Sequence, residues 1–187
     1  AKRRRVEEQN RLYDLLRSAT QTQIDRISVL TKQYRSETKA DPANAKKLLA
    51  EIAVLCSYIQ RRKHLTLLTD RDYKVAVSEL ERAFSESLQT LKLLNVRGTL
   101  YIDDGILMLS GKTAVSIFDF YEKVIEADIV NLTSVQVSLT DAKKPRLSLH
   151  VCCLKDLSSF SSLPEVIYEE DEDYQHIVFL PGGGVGK

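Results

Sequence analysis

The chain has 187 residues, 43% hydrophobic and 28% charged, enough for one compact domain or two small ones and too apolar for wholesale disorder. Twenty-seven basic against 26 acidic residues leave a net charge of +1, so no global field argues for nucleic acid as a partner and any basic contact has to be local. The longest apolar runs, such as Ile52 to Cys56 and Ile177 to Leu180, fall far short of the roughly 18 residues needed to span a bilayer.

The sequence opens Ala1-Lys2-Arg3-Arg4-Arg5 with no initiator Met and no apolar segment behind the basic cluster. This excludes a secretory signal peptide and reads as a piece of a longer protein. The cluster suits the cytoplasmic flank of an upstream membrane segment, and it suits the solvated start of a helix equally well.

Val6 to Thr38 contains no Gly or Pro, and Val6, Tyr13, Thr20, Ile27 and Tyr34 recur every seven residues, with Leu16 and Leu30 in the complementary seam. The spacing predicts a long amphipathic helix. Gln9, Thr20, Gln21 and Gln23 interrupt its stripe, so a polar group is expected against its middle. Asp41 and Pro42 then supply an N-cap and a first-turn proline, and Ala45, Leu48, Leu49, Ile52, Leu55, Cys56 and Ile59 follow at helical spacing toward Leu68. Two such helices, each about 45 Å long, return antiparallel and cannot cover both of their faces alone. A homodimer in the form of a four-helix bundle is the expected solution.

After Thr69-Asp70 the pattern changes. Tyr73 to Leu94 carries Val75, Leu80, Phe84, Leu88, Leu91 and Leu94 at helical intervals, and Thr99 to Ile102, the Asp103-Asp104-Gly105 turn and Ile106 to Leu109 read as a strand pair or hairpin. Gly111 to Ala127 reads as helix. Ser134 to Leu139 and Leu147 to Cys153 alternate as strands across a polar turn at Asp141 to Pro145, and a last strand, Gln175 to Leu180, follows an acidic, serine-bearing loop. The predicted fold class is α+β, a long antiparallel helical hairpin followed by a small α/β-sandwich domain whose helices cover one face of a largely antiparallel sheet.

Few residues point to chemistry. Cys56, Cys152 and Cys153 lack the paired spacing of a zinc site and are read as reduced core or half-buried residues. His64, His150 and His176 are dispersed, and none has the helical two-His spacing of a metalloprotease, so no metal ligand is assigned. Cys153 lies three residues after His150 and faces the other side of a strand, which excludes a nucleophile dyad. The acidic run Glu169 to Asp173 lacks the spaced ligands and Gly of a calcium loop and reads as a solvated, mobile loop. The terminal Gly182 to Lys187 segment is similar to a P-loop only superficially, because Pro181 stands where the first glycine is needed.

A dimerising helical hairpin followed by helix, strand, strand, helix and terminal strands resembles the cytoplasmic part of a bacterial sensor histidine kinase, in which a phosphotransfer hairpin precedes an ATPase domain of the gyrase and heat-shock-protein-90 type. Glu8 to Asp14, Tyr58 to Lys63 and Phe179 to Gly183 are similar to segments of a divergent group of such proteins in Gram-positive anaerobes. The resemblance implies a hairpin domain at 1–70, an ATPase-like domain at 71–187 and a role in two-component signal transduction. It further implies a homodimer, a response regulator or other signalling protein as partner, no nucleic acid, and a cytoplasmic location attached to a membrane only through an upstream segment.

In that family a His followed by an acidic residue on the first helix accepts phosphate, and an Asn on the second helix of the ATPase domain holds magnesium. The resemblance places Tyr13 and Asp14 at the phosphoacceptor position and Glu122 and Glu126 in the remnant of the nucleotide site, with Glu126 in place of the Asn. A phenol with a pKa of about 10 cannot replace a neutral, nucleophilic imidazole. A carboxylate can hold magnesium, but it adds negative charge beside the phosphates. The family's Asp-x-Gly-x-Gly boxes should fall between Leu139 and Tyr174, a span without glycine. No catalytic residue is therefore assigned, ATP and magnesium are ligands only if the site functions, and a pseudokinase is expected. The alternatives are an active histidine kinase with a divergent site and a non-enzymatic dimerisation scaffold that binds a protein partner.

Overall fold

Asp41 divides the helical half of the chain. In the computed structural model, which describes residues 2–71 and 73–182 without the side chains of 2–5, 70 and 71, α1 (Lys2–Ala40) ends there and α2 (Pro42–Arg71) begins. Asp41 Oδ1 accepts the N–H groups of Ala43 at 3.1 Å and Asn44 at 3.0 Å, the cap that the Asp-Pro pair promised. The apolar face of α2 buries Val54, Leu55, Tyr58 and Leu65. Because α1 has 39 residues against 30 in α2, its first turns extend past the partner helix by about 13 Å.

The chain then turns through β1 (Lys74–Ala76) into α3 (Val77–Leu91), a short 3-10 turn and β2 (Arg97–Ile102), followed by β3 (Met108–Ser110) and α4 (Gly111–Ala127). The sheet is completed by β4 (Ser134–Thr140), β5 (Arg146–Cys152), β6 (Val166–Glu170) and β7 (Gln175–Phe179). Its five strands lie in the order β2-β4-β5-β7-β6, parallel between β2 and β4 and antiparallel elsewhere. Strict alternation along β4 and β5 buries Val135, Val137, Leu139, Leu147, Leu149 and Val151 on one face. These residues join Leu80, Phe84 and Leu88 of α3 and Ile117, Tyr121 and Val124 of α4 in one core, which also takes in Val54, Tyr58 and Leu65 of α2. The α+β reading therefore holds, and the second helix of the hairpin is part of the same core as the sheet.

Three expectations need correction. The strand pair around Asp103-Asp104-Gly105 is not a hairpin: β2 pairs with β4, whereas β3 pairs antiparallel with β1. The turn itself forms, with Gly105 N–H on Asp103 Oδ1 at 2.9 Å and Ile106 N–H on Asp103 O at 3.0 Å. Five residues separate the strands, however, and burial of Ile106 and Leu109 carries the chain out of the main sheet. For the same reason Tyr73 to Ala76 is not the start of a helix, since Val75 pairs with Leu109 and helix begins at Val77. The acidic loop, finally, contains β6: Glu169 and Glu170 pair with His176 and Gln175. Val166-Ile167-Tyr168 is short, but its β-branched and aromatic residues are what a strand needs. No helix among the described residues is long and apolar enough to cross a membrane.

Candidate functional site

Helix α4 positions the residues that matter. Its N-cap Ser110 accepts the N–H of Thr113 at 3.1 Å, and its face toward the sheet is apolar. The face toward α2 carries Phe118 and Glu122, and one turn later Glu126 reaches α1. Phe118 packs on Tyr58 of α2 at 5.6 Å between ring centroids and on Phe84 of α3 at 6.0 Å. Tyr58 donates to Asp119 Oδ1 at 3.0 Å, and Arg62 Nε donates to the same oxygen at 2.6 Å. Burial and the Asp119 carboxylate hold the Tyr58 phenol above its ordinary value.

Between these helices lies a polar cluster. Gln23 Nε2 of α1 donates to Glu126 Oε1 at 2.9 Å. Arg26 of α1 bonds Glu51 of α2 and places its Nη1 3.8 Å from Glu126 Oε2. Glu122 is 1% exposed, and neither of its oxygens receives a hydrogen bond among the described residues. Burial, and next the charge of Glu126, push its carboxyl well above the ordinary carboxylate range. Glu126, one helical turn on, is the neighbouring carboxylate whose charge disfavours ionisation of Glu122. The polar interruption foreseen in α1 is resolved here: Gln23 meets Glu126, Gln21 bonds Asp25 at 2.7 Å, and buried Thr20 donates to Leu16 O at 2.9 Å.

This arrangement does not suit a magnesium nucleotide. Magnesium asks for free oxygen ligands in an octahedron with water, whereas one carboxyl here is buried away from water and the other faces a guanidinium. Tyr13 is 70% exposed and Asp14 is exposed. Both lie about 15 Å along α1 from Gln23, at 1.5 Å per residue, so the four residues singled out in the sequence are not brought together. Sequence reasoning missed Arg26 and Glu51, whose partners lie on other helices and leave no spacing to find. Among the described residues no group of three or more His, Cys, Asp or Glu is placed to hold a metal ion. Residues 183–187, with most of the P-loop-like segment, lie outside the described residues.

The remaining titratable groups fall elsewhere. His64 pairs with Glu79 at 3.0 Å. His150 and His176, dispersed in sequence, stack across β5 and β7 with centroids 4.2 Å apart. Cys152 and Cys153 are half-buried as expected, but Cys56 is exposed, because α2 turns Leu55 and Tyr58 inward and Cys56 away from them. The acidic run closes a hairpin, with Asp171 N–H on Tyr174 O at 3.0 Å.

No family model matches the sequence, and no characterised protein matches it either. Solved structures do match. A bacterial phosphotransferase superposes with a TM-score of 0.53 at 11% identity, covering 89% of this chain and 94% of that one. The histidine kinase domain of a blue-light activated histidine kinase from Erythrobacter litoralis superposes with a TM-score of 0.52 at 12% identity, covering 92% and 94%. The chain thus has the α+β fold of a histidine kinase domain, long N-terminal helices followed by a sheet with helices. At such identities the likeness is one of fold.

Proposed function

We propose that the chain is the cytoplasmic signalling module of a sensor-histidine-kinase-like protein in two-component signal transduction, and that it is a pseudokinase. In this reading residues 1–70 dimerise, and 71–187 form an ATPase-like domain without working nucleotide chemistry. The observation that carries it is the engagement of Glu126 by Gln23 and Arg26 of α1. The positive charge that a metal would bring to this carboxylate comes from the hairpin instead. The glycine-free span from Leu139 to Tyr174 supports the same reading, since backbone cannot approach phosphates closely where every residue carries a Cβ. Tyr13 supports it too, as an exposed phenol at the acceptor position.

The homodimer is supported by apolar surface left on both hairpin helices, at Ile24, Val29 and Leu49. A response regulator is the partner class that the fold suggests, and a signal would pass to it through the packing of α1 and α2 against α4. Calorimetry with ATP and magnesium, followed by incubation with radiolabelled ATP, tests the proposal. Neither heat nor label is expected. Micromolar binding with acid-labile label on His64, His150 or His176 would establish an active kinase and sink the pseudokinase.

A further inference from the structure

The sheet face opposite the helices carries a row of polar side chains. Ser148, His150 and Cys152 alternate outward on β5 while Leu147, Leu149 and Val151 are buried. His150 stands directly opposite His176 in the β5–β7 register, and Glu169 stands directly opposite His176 in the β6–β7 register. The two imidazoles lie 4.2 Å apart with planes 6° from parallel. His176 Nδ1 is 3.3 Å from Glu169 Oε2, and its Nε2 is 2.6 Å from Ser148 Oγ. A carboxylate only accepts, so Nδ1 carries the proton and Nε2 presents its lone pair toward the Ser148 hydroxyl.

We propose that His150 and His176 form a binding site for one divalent transition-metal ion of the zinc, copper or nickel class, with water completing the coordination. Neutral imidazole is the donor these ions share, and magnesium or calcium would prefer oxygen. Metal–nitrogen bonds of about 2.0–2.1 Å require the two nitrogens to stand roughly 2.9–3.4 Å apart. As stacked, the rings hold their lone pairs in parallel planes, so binding turns both imidazoles out of the stack about χ2, a soft torsion, until the lone pairs converge on the ion. Glu169 plays the part that outer carboxylates play at metal sites, fixing the tautomer and orientation of His176. Both ligands stand on paired strands inside a five-stranded sheet, so their backbone positions are set before the ion arrives. Ser148 is half-buried and gives up one hydrogen bond, which water can replace. Cys152 Sγ is already committed to Asp173 O at 2.9 Å, which leaves the imidazole pair as the ligands.

Ser148, His176 and Glu169 also follow the order of a hydrolytic triad. That chemistry needs N–H donors beside the serine for the oxyanion, and β5 is a central strand whose N–H groups are taken by the ladders to β4 and β7. Metal binding makes no such demand.

Zinc titrated into the untagged protein in a calorimeter tests the site. One ion per chain is expected, with His150→Ala and His176→Ala each weakening binding by at least about tenfold and Glu169→Gln by about tenfold, and His64→Ala without effect. Substoichiometric Cu2+ added to wild-type protein provides a second measurement that needs no variant. The ring proton resonances of His150 and His176 should broaden before those of His64. No zinc binding, equal affinity in the His150→Ala protein, or broadening of His64 first would each overturn the proposal.

Discussion

Arg26 of α1 joins two carboxylates from different helices, bonding Glu51 of α2 and facing Glu126 of α4 at 3.8 Å. The Glu51 side chain is 6% exposed and that of Arg26 is 33% exposed, so the cation can be lost to solvent more easily than the anion. Removing the cation strands a buried charge, the situation in which ion pairs weigh most. Arg26→Met should lower unfolding free energy by about 2 kcal/mol, less than a fully buried pair because of the partial exposure of Arg26. Arg26→Met combined with Glu51→Gln should recover much of the loss. Urea denaturation reads both, and a single variant within about 0.5 kcal/mol of wild type would mean that Glu51 finds another partner.

Glu122 should make stability fall as pH rises. Its folded-state pKa is raised above the ordinary 4.5 by burial and by Glu126, so the folded protein holds a proton that the unfolded chain gives up. That contribution is complete below about pH 4.5 and is lost as pH climbs through the window between the two values, at no more than about 1.4 kcal/mol per unit. Glu122→Gln keeps a donor for Glu126 and has no proton to lose. Its stability advantage over wild type should therefore widen from pH 5 to pH 8 in denaturation series. Parallel curves would show that Glu122 ionises normally.

The legible part of this molecule was local. The Asp41 cap, the bounds of α4 and the alternation in β4 and β5 all follow from residues within one element, and the structure reproduces them. What the sequence hid was pairing at a distance. Met108–Ser110 pairs with a segment more than thirty residues earlier, which no turn signal announces. Gln23, Arg26, Glu51 and Glu126 meet only because α4 packs beside the hairpin. His150 and His176 lie 26 residues apart and become neighbours because β7 returns antiparallel to pair directly with β5.

The hairpin should self-associate. Val29 is 54% exposed and Leu49 46% exposed, and a second copy would cover both. Sedimentation at tens of micromolar is expected to give a dimer. Ile27→Asp should dissociate or unfold it, because a carboxylate placed in a half-buried apolar seam costs several kcal/mol, on the order of an unpaired buried charge. A wild-type monomer with intact helicity by circular dichroism would contradict the bundle.

Gly111 opens α4 directly against the last turns of α2. A Cβ built there would collide with the methyl group of Thr69 and come within 2.9 Å of its Cβ. Gly111→Ala would ordinarily favour a helix by about 1 kcal/mol, but here the contact reverses the sign, because Thr69 belongs to a helix tied down by the buried Leu65. The variant should lose about 1–3 kcal/mol, the range for overpacking. Thr69→Ala removes the colliding methyl group, so the double variant should regain part of the loss while Thr69→Ala alone changes little. Chemical denaturation of the four proteins gives the coupling energy between the two sites. A coupling near zero would mean that α4 shifts away from α2 without cost.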